Sequence, residues 1–400
     1  MGESKKPFFA YVDETGNTGH NIFDPAQPDF FSGALITKGD FDLNFGKQIS
    51  AISQQLNTEA LHARVLGIGK IETVASQLLR ILESAEATFF LSRVEKKYLL
   101  ASKMFDVLFD SGENPAVPWQ FYNLRGLRLI GVFKLSALIE EQTAKKFWAS
   151  ILEPDTKKAH GILFEVCEEL LANIGNLPDE GSRKVLSEGL SWAKSHPEAI
   201  QVYTEHDLSK HGHFPNLVAF SNLLRGLQSL SEERKKPVHT IKHDQQSEFE
   251  KTLQMWHGLF SNASGDEIKW AGETYKMQSV PGSEFKVLED TASAGIQIVD
   301  VVLWLYSQTR KAKKLPKDCA LLVKYALNNG WHNDFSFEGV ETAYMEKFGS
   351  IISTPLTEEK MESTKKMLEM AEKSRLESIA QYEIDKIPPF LRDVTRLRSQ

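Results

Sequence analysis

Cysteine is nearly absent from this sequence: 400 residues contain only Cys167 and Cys319. Two thiols so far apart cannot build a disulfide framework or a cysteine-rich zinc site, and they imply a reducing compartment. Long hydrophobic runs are missing as well. No stretch of about 18 apolar residues occurs, so no membrane span and no membrane partner are expected. The opening segment MGESKKPFFAYVDE passes from a short polar start straight into strand-like residues, without the apolar stretch or cleavage pattern of a secretory leader. A cytoplasmic protein is the expectation. Positive charge is not in excess either. A formal charge of -7 argues against binding of nucleic acid over the whole surface, so such a partner must meet a local basic patch. Carboxylates that hold metal count as negative in that sum, and a bound cation reverses their sign.

What is present is ordinary for a globular chain, 41% apolar and 25% charged. Phe8–Asp13 (FFAYVD) reads as a strand that stops at the turn residues Thr15-Gly16-Asn17-Thr18-Gly19. Asp29–Thr37 is its partner, Leu43–Gln55 a helix and Ala87–Val94 a third strand. From about Tyr98 to Ser231 the pattern turns helical, with almost no strand signal. Strand character returns at Pro237–Asp244 and Phe285–Leu288, separated by a helix around Ser247–Phe260 and followed by a helix over Ala292–Arg310. Thr354-Pro355 reads as the cap and first turn of a long polar helix reaching toward Ile387. The expected fold is α/β, a mixed sheet flanked by helices. Its core spans residues 1–100 and 236–312 discontinuously, with a large all-helical insertion at 101–235 and a helical C-terminal extension at 313–400.

Three aspartates draw attention by where they fall. Asp13 and Asp244 each end an apolar strand, and the ends of neighbouring strands in an α/β sheet are where ligands bind. Asp300 lies inside the intensely apolar run Ile296–Tyr306, where a lone carboxylate costs several kcal/mol or loses its charge. Ser293, Gln297 and Asp300 share one helix face at i, i+4 and i+7. Oxygen ligands of this kind suit Mg²⁺ or Mn²⁺, and such ions support in-line phosphodiester cleavage.

The segments Tyr11-Val12-Asp13-Glu14-Thr15-Gly16, Leu61-His62-Ala63, His243-Asp244 and Ser293-Ala294-Gly295-Ile296-Gln297-Ile298-Val299-Asp300 together resemble the prokaryotic and phage family called domain of unknown function 3800. The resemblance covers roughly Phe8–Tyr98 and Pro237–Arg310. It implies a ribonuclease H-like core, an acidic set of Asp13, Glu14, Asp244 and Asp300 with His62 and Gln297 nearby, and a setting among mobile elements and antiviral defence genes. Two departures stand out: Val299 precedes Asp300 where alanine is usual, and Ala63-Arg64 follow His62 where a further acidic or polar residue is common.

Each residue has a plainer reading beside the functional one. Asp13 also reads as a turn carboxylate, Asp244 as the N-cap of the next helix, and Asp300 as partner of a buried Arg or Lys, although the site role is the favoured one for all three. Asp290 reads as a cap. Glu14 lines the same site as Asp13 only if the strand has ended, because consecutive strand residues face opposite ways. His62 reads also as a packed histidine. His239 and His243, about 13 Å apart in a strand at ~3.3 Å per residue, cannot share a metal. Lys210-His211-Gly212-His213 offers a weak metal cluster, and Leu66–Ile71 lacks the glycine and hydroxyl that a phosphate loop needs. The basic run Arg310, Lys311, Lys313 and Lys314 suits either a phosphate backbone or a solvated helix end. Glu232–Lys236 reads as a solvated linker. The expected function is a metal-dependent nuclease acting on DNA or RNA. The alternative is a non-catalytic scaffold that binds nucleic acid, a protein or a second copy of itself through the helical insertion.

Overall fold

A computed structural model describes residues 6–16, 21–200, 211–246, 248–311 and 313–392. The Asn17–Gly19 turn residues and Lys210 therefore lie outside the described residues. The chain divides into two compact units, residues 1–96, 211–268 and 274–335 against residues 97–210, 269–273 and 336–400.

The first unit is built on a six-stranded mixed sheet. Its strands are β1 (Phe8–Thr15), β2 (Asp29–Lys38), β3 (Thr88–Glu95), β4 (Val238–Asp244), β5 (Glu284–Leu288) and β6 (Gly330–Phe335), in the order β5-β4-β1-β2-β3-β6. β1, β2 and β3 form an antiparallel meander, while β4 runs parallel to β1, β5 to β4 and β6 to β3. The central strands are nearly continuous apolar runs because both faces are covered. Helices α1 (Phe41–Gln55), α2 (Ala63–Ser84), α5 (Ala294–Arg310) and α6 (Lys317–Asn328) share the core on one face, which includes Tyr11, Phe31, Leu35, Ile296 and Val299. Helix α3 (Pro215–Arg234) packs against β2 and β3, and α4 (Glu250–Ser261) follows β4. A separate two-stranded sheet pairs Glu267–Trp270 with Glu273–Lys276.

Three features depart from the expected layout, the first being α6, expected within the helical extension but part of the sheet-bearing unit and its core. Helix α3, expected within the insertion, buries Phe220, Leu223, Leu224 and Leu227 within the sheet-bearing unit. Gly330–Phe335 (GWHNDF), expected within the helical extension, is a strand whose polar composition reflects its place at the sheet edge, paired on one side only.

The second unit is helical, with Glu141–Leu152, Thr156–Ala172 and Glu180–Ser195 packed in succession over Phe147, Leu163, Val166, Leu170, Leu186 and Leu190. The helix Phe337–Ser353 ends at Thr354, and the next, Glu358–Asp385, is capped by Thr357, whose hydroxyl accepts from Lys360 N–H. The cap expected at Thr354-Pro355 thus falls at Thr357 instead. Arg375 and Tyr382 are the buried residues of that helix, Arg375 donating to Glu372 and the Ala116 carbonyl. No helix among the described residues is long and apolar enough to cross a membrane.

Candidate acidic site

Register places the first two acids side by side. Tyr11 partners Lys242 and Val12 partners His243 across the parallel β1/β4 pair, so one step on Asp13 lies beside Asp244, facing the same way. That face is the one covered by α5, because a side chain at Gly295 would collide with the ring of Tyr11. Asp300 descends from α5 toward the same region. The apolar helix around it is explained by its position: Ile296, Ile298, Val299, Val301, Val302 and Leu303 are all buried in the core.

Charge records the convergence. Asp13, only 8% exposed, is pushed well above the ordinary carboxylate range by burial and then by the charges of Asp300 and Asp244. The Glu14 N–H, donating to its Oδ1 at 2.7 Å, opposes this. Asp300 is raised to about 6 by burial, with Asp244 and Asp290 adding to the effect and the Ala63 N–H and His62 working against it. Burial also raises Asp244 to about 6, with Asp290 and Glu14 acting in the same direction. Among the described residues none of the three pairs with Lys or Arg; the group that donates to Asp300 Oδ2 is the Ala63 N–H, at 2.8 Å. Asp244 is not a helix cap either, since α4 begins only at Glu250, behind Phe249.

Asp290 belongs with this set, although the sequence reads it as a cap. Its Oδ2 lies 2.9 Å from His62 Nδ1, and its charge acts on both Asp244 and Asp300. Nothing local to Asp290 signals a partner as distant in the chain as His62. His62 stands at the N-terminus of α2 with no capping bond from its side chain, which is 44% exposed and so open to solvent. Gln297 joins the two loops: its Oε1 accepts from Leu61 N–H at 3.1 Å and its Nε2 donates to the Asp290 carbonyl at 3.0 Å. Both ends of that amide are committed to backbone, which makes Gln297 a support for His62 and Asp290.

Glu14 goes elsewhere. β1 continues to Thr15, so alternation sends its side chain to the opposite face of the sheet, toward His243, Asn216 and Gln246. It is not a member of the Asp13 cluster. The basic run follows α5: Arg310 and Lys311, both exposed, line a cleft with Thr15, Gly16 and Asp29 beyond the end of β1. Lys313 and Lys314 are exposed as well. Arg310 stands ten positions past Asp300, roughly 15 Å along the helix axis.

A second polar cluster docks α5 onto the sheet on the Asp13 side. Lys242 Nζ donates to Asp40 Oδ2 at 2.9 Å and to Asp42 Oδ2 at 2.8 Å. Asp42 in turn accepts from Ser293 Oγ and from Gly295 N–H at the start of the helix, and the Tyr11 hydroxyl donates to Asp40 at 2.7 Å. The polar stripe Ser293, Gln297 and Asp300 is therefore used along its length, against Asp42, Leu61 and Ala63 in turn.

Of the weaker motifs, Leu66–Ile71 lies within α2 at a kink where Gly67 adopts a φ of 70°, and His239 stacks on Phe9 while His243 faces Glu14. Gly212 and His213 belong to a short 3-10 turn. Among the described residues no group of three or more His, Cys, Asp or Glu side chains is arranged as a ready metal-holding set. Comparison with protein-family models, curated proteins and solved structures returns no match.

Proposed function

We propose that this protein is a metal-dependent phosphodiesterase of ribonuclease H-like architecture, acting on nucleic acid. The observation that carries the reading is the gathering of Asp13, Asp244 and Asp300, from three distant parts of the chain, into one region where each raises or is raised by another and none has a Lys or Arg partner among the described residues. The β1-β2-β3 meander, with β4 laid parallel beside β1 so that acid-bearing ends are neighbours, supports the ribonuclease H-like core and its resemblance to domain of unknown function 3800.

The chemistry of the donor set suits a hard divalent cation, with Asp13 buried and Asp244 and Asp300 half-buried and carrying like charges that a cation would neutralise, although the three side chains are not arranged as a ready metal-holding set. Asp13, Asp244 and Asp300 would hold Mg²⁺ or Mn²⁺. In such a site the metal supplies Lewis acidity and positive charge to a phosphodiester. The chain's own residues do the rest. His62, with Nδ1 held by Asp290 at the half-exposed rim, helps position the scissile group. Gln297 holds the two loops that set the His62–Asp290 pair. Arg310, Lys311, Lys313 and Lys314 take backbone phosphates, which orients a strand without reading its sequence.

The test is incubation with labelled single- and double-stranded DNA and RNA in the presence of Mn²⁺. Cleavage is expected from the wild type, with a fall of at least roughly 100-fold in Asp13→Asn and in Asp300→Asn, the scale of losing one preorganised electrostatic partner. Cleavage undiminished in both variants excludes the reading.

A further inference from the structure

Behind Asp13 and Asp244, on the opposite face of β1 and β4, lies another polar cluster that is wholly buried. The side chains of Glu14 and His243 are 1% and 0% exposed, and Asn216, from the first turn of α3, is 0% exposed. His243 Nδ1 stands 2.8 Å from the Asp244 carbonyl oxygen. That oxygen can only accept, so Nδ1 carries the proton and Nε2 is left facing Glu14 Oε1 at 3.6 Å, an ion-pair rather than a hydrogen-bond separation. Glu14 Oε2 accepts from Asn216 Nδ2 at 3.2 Å and from Gln246 Nε2. The Glu14 carboxylate therefore grips the chain at 243 and again at 246, on either side of Asp244, while its own backbone adjoins Asp13.

This cluster is poorly suited to stability alone. Glu14 Oε1, His243 Nε2 and Asn216 Oδ1 are buried with no hydrogen-bond partner among the described residues. Apolar side chains of similar volume commonly stabilise such a position as well or better. What an apolar trio cannot do is set direction and register between two strand ends. The neighbouring rings agree with a held imidazole, since Phe220 and Phe285 both pack on His243.

We propose that Glu14 and His243 form a positioning pair, a clasp across β1 and β4 that sets the spacing of Asp13 and Asp244 on the other face and thereby their affinity for a divalent cation. This rests on the metal-site reading of the aspartates. Glu14 on this account touches neither cation nor substrate.

The experiment is calorimetric titration of Mn²⁺ into the wild type, Asp13→Asn, Glu14→Gln, His243→Gln and the Glu14→Gln/His243→Gln double variant, with thermal melting of each. Glu14→Gln keeps the shape and the acceptor oxygen for Asn216 and Gln246, and is expected to weaken Mn²⁺ binding by roughly 10- to 100-fold although all three aspartates remain. The double variant is expected to bind no more weakly than the worse single one, because the two residues act as a unit. A role in packing alone would lower the melting temperature of Glu14→Gln and leave Mn²⁺ affinity at the wild-type value, which overturns the proposal. Wild-type binding that Asp13→Asn abolishes and Glu14→Gln leaves intact removes the clasp and keeps the metal site. Absence of Mn²⁺ binding by the wild type removes both. Should Glu14→Gln fail to fold, Asn216→Ser, which withdraws one donor from Glu14, carries the same comparison with an expected loss in the same direction.

Discussion

Two carboxylate clusters lie on the same face of the sheet, two residues apart along β4, and they are built in opposite ways. Asp40 and Asp42 enclose Lys242, which donates to both. Burial alone would raise Asp40, yet Lys242 and Tyr11 hold it below the ordinary range, and Asp40 and Asp42 keep Lys242 above its own. Asp13, Asp244 and Asp300 have no Lys or Arg partner among the described residues, with His62 and Asp290 at the edge, and all three are raised. The first cluster carries its counter-charge within the chain and serves as an anchor for α5. The second has no such counter-charge among the described residues, and burial and mutual repulsion raise its acids instead.

Removing the internal cation should make the first cluster resemble the second, and this is the largest effect expected. Lys242→Met leaves Asp40 and Asp42 without their partner at a largely buried position, and should cost about 3–5 kcal/mol in denaturant unfolding. A loss below about 1 kcal/mol would mean that the anchor is held mainly by Ser293 and Gly295.

The reverse change sharpens the contrast. Asp300 has a folded value of about 6 against an ordinary 3.8. The folded state therefore binds protons more readily, and stability is lost as pH rises through that window. Asp300→Asn should accordingly stabilise the metal-free protein above about pH 6, by about 1–3 kcal/mol, since each tenfold difference in proton affinity between the folded and unfolded chain is worth about 1.4 kcal/mol. The gain should vanish by about pH 4, where the wild-type acid is already protonated. Melting curves at the two pH values decide it, and a variant equally stabilised at both would refute the electrostatic cause.

The smallest effect belongs to the rim. His62→Ala removes a half-exposed partner of Asp290 and should change stability by less than about 1 kcal/mol, within the range of exposed ion pairs. A larger loss in thermal melting would show that the His62–Asp290 contact is part of the frame.

Much of this site can be read in the sequence because its members break local rules. Asp300 stands out in an apolar helix, and Asp13 and Asp244 end apolar strands. Glu14 is harder, because the end of β1 decides its direction: apolar character fades at Asp13, but pairing with β2 carries the strand through Glu14 opposite Ser32 and Thr15 opposite Phe31. Lys242 gives no signal, being one polar residue in an alternating strand whose partners lie 200 and 202 positions earlier. Gly330–Phe335 is hidden by its composition, since a strand at the sheet edge needs neither an apolar run nor β-branched residues when it pairs on one side only. The helix Pro215–Arg234 is legible as a helix, but the sequence holds no sign of which unit it joins.

Gly33, the partner of Asp13 in β2, and Gly295, over Tyr11, present bare backbone where α5 meets the sheet. A methyl at position 33 would come within 3.1 Å of Leu303, and one at 295 would strike the Tyr11 ring. The two missing carbons let α5 lie close against β1 and β2. Alanine at 295 would force the Tyr11 ring or the start of α5 to shift, whereas alanine at 33 asks only a small give from the ends of the Leu303 and Val299 side chains, so the closeness of helix to sheet depends far more on Gly295 than on Gly33.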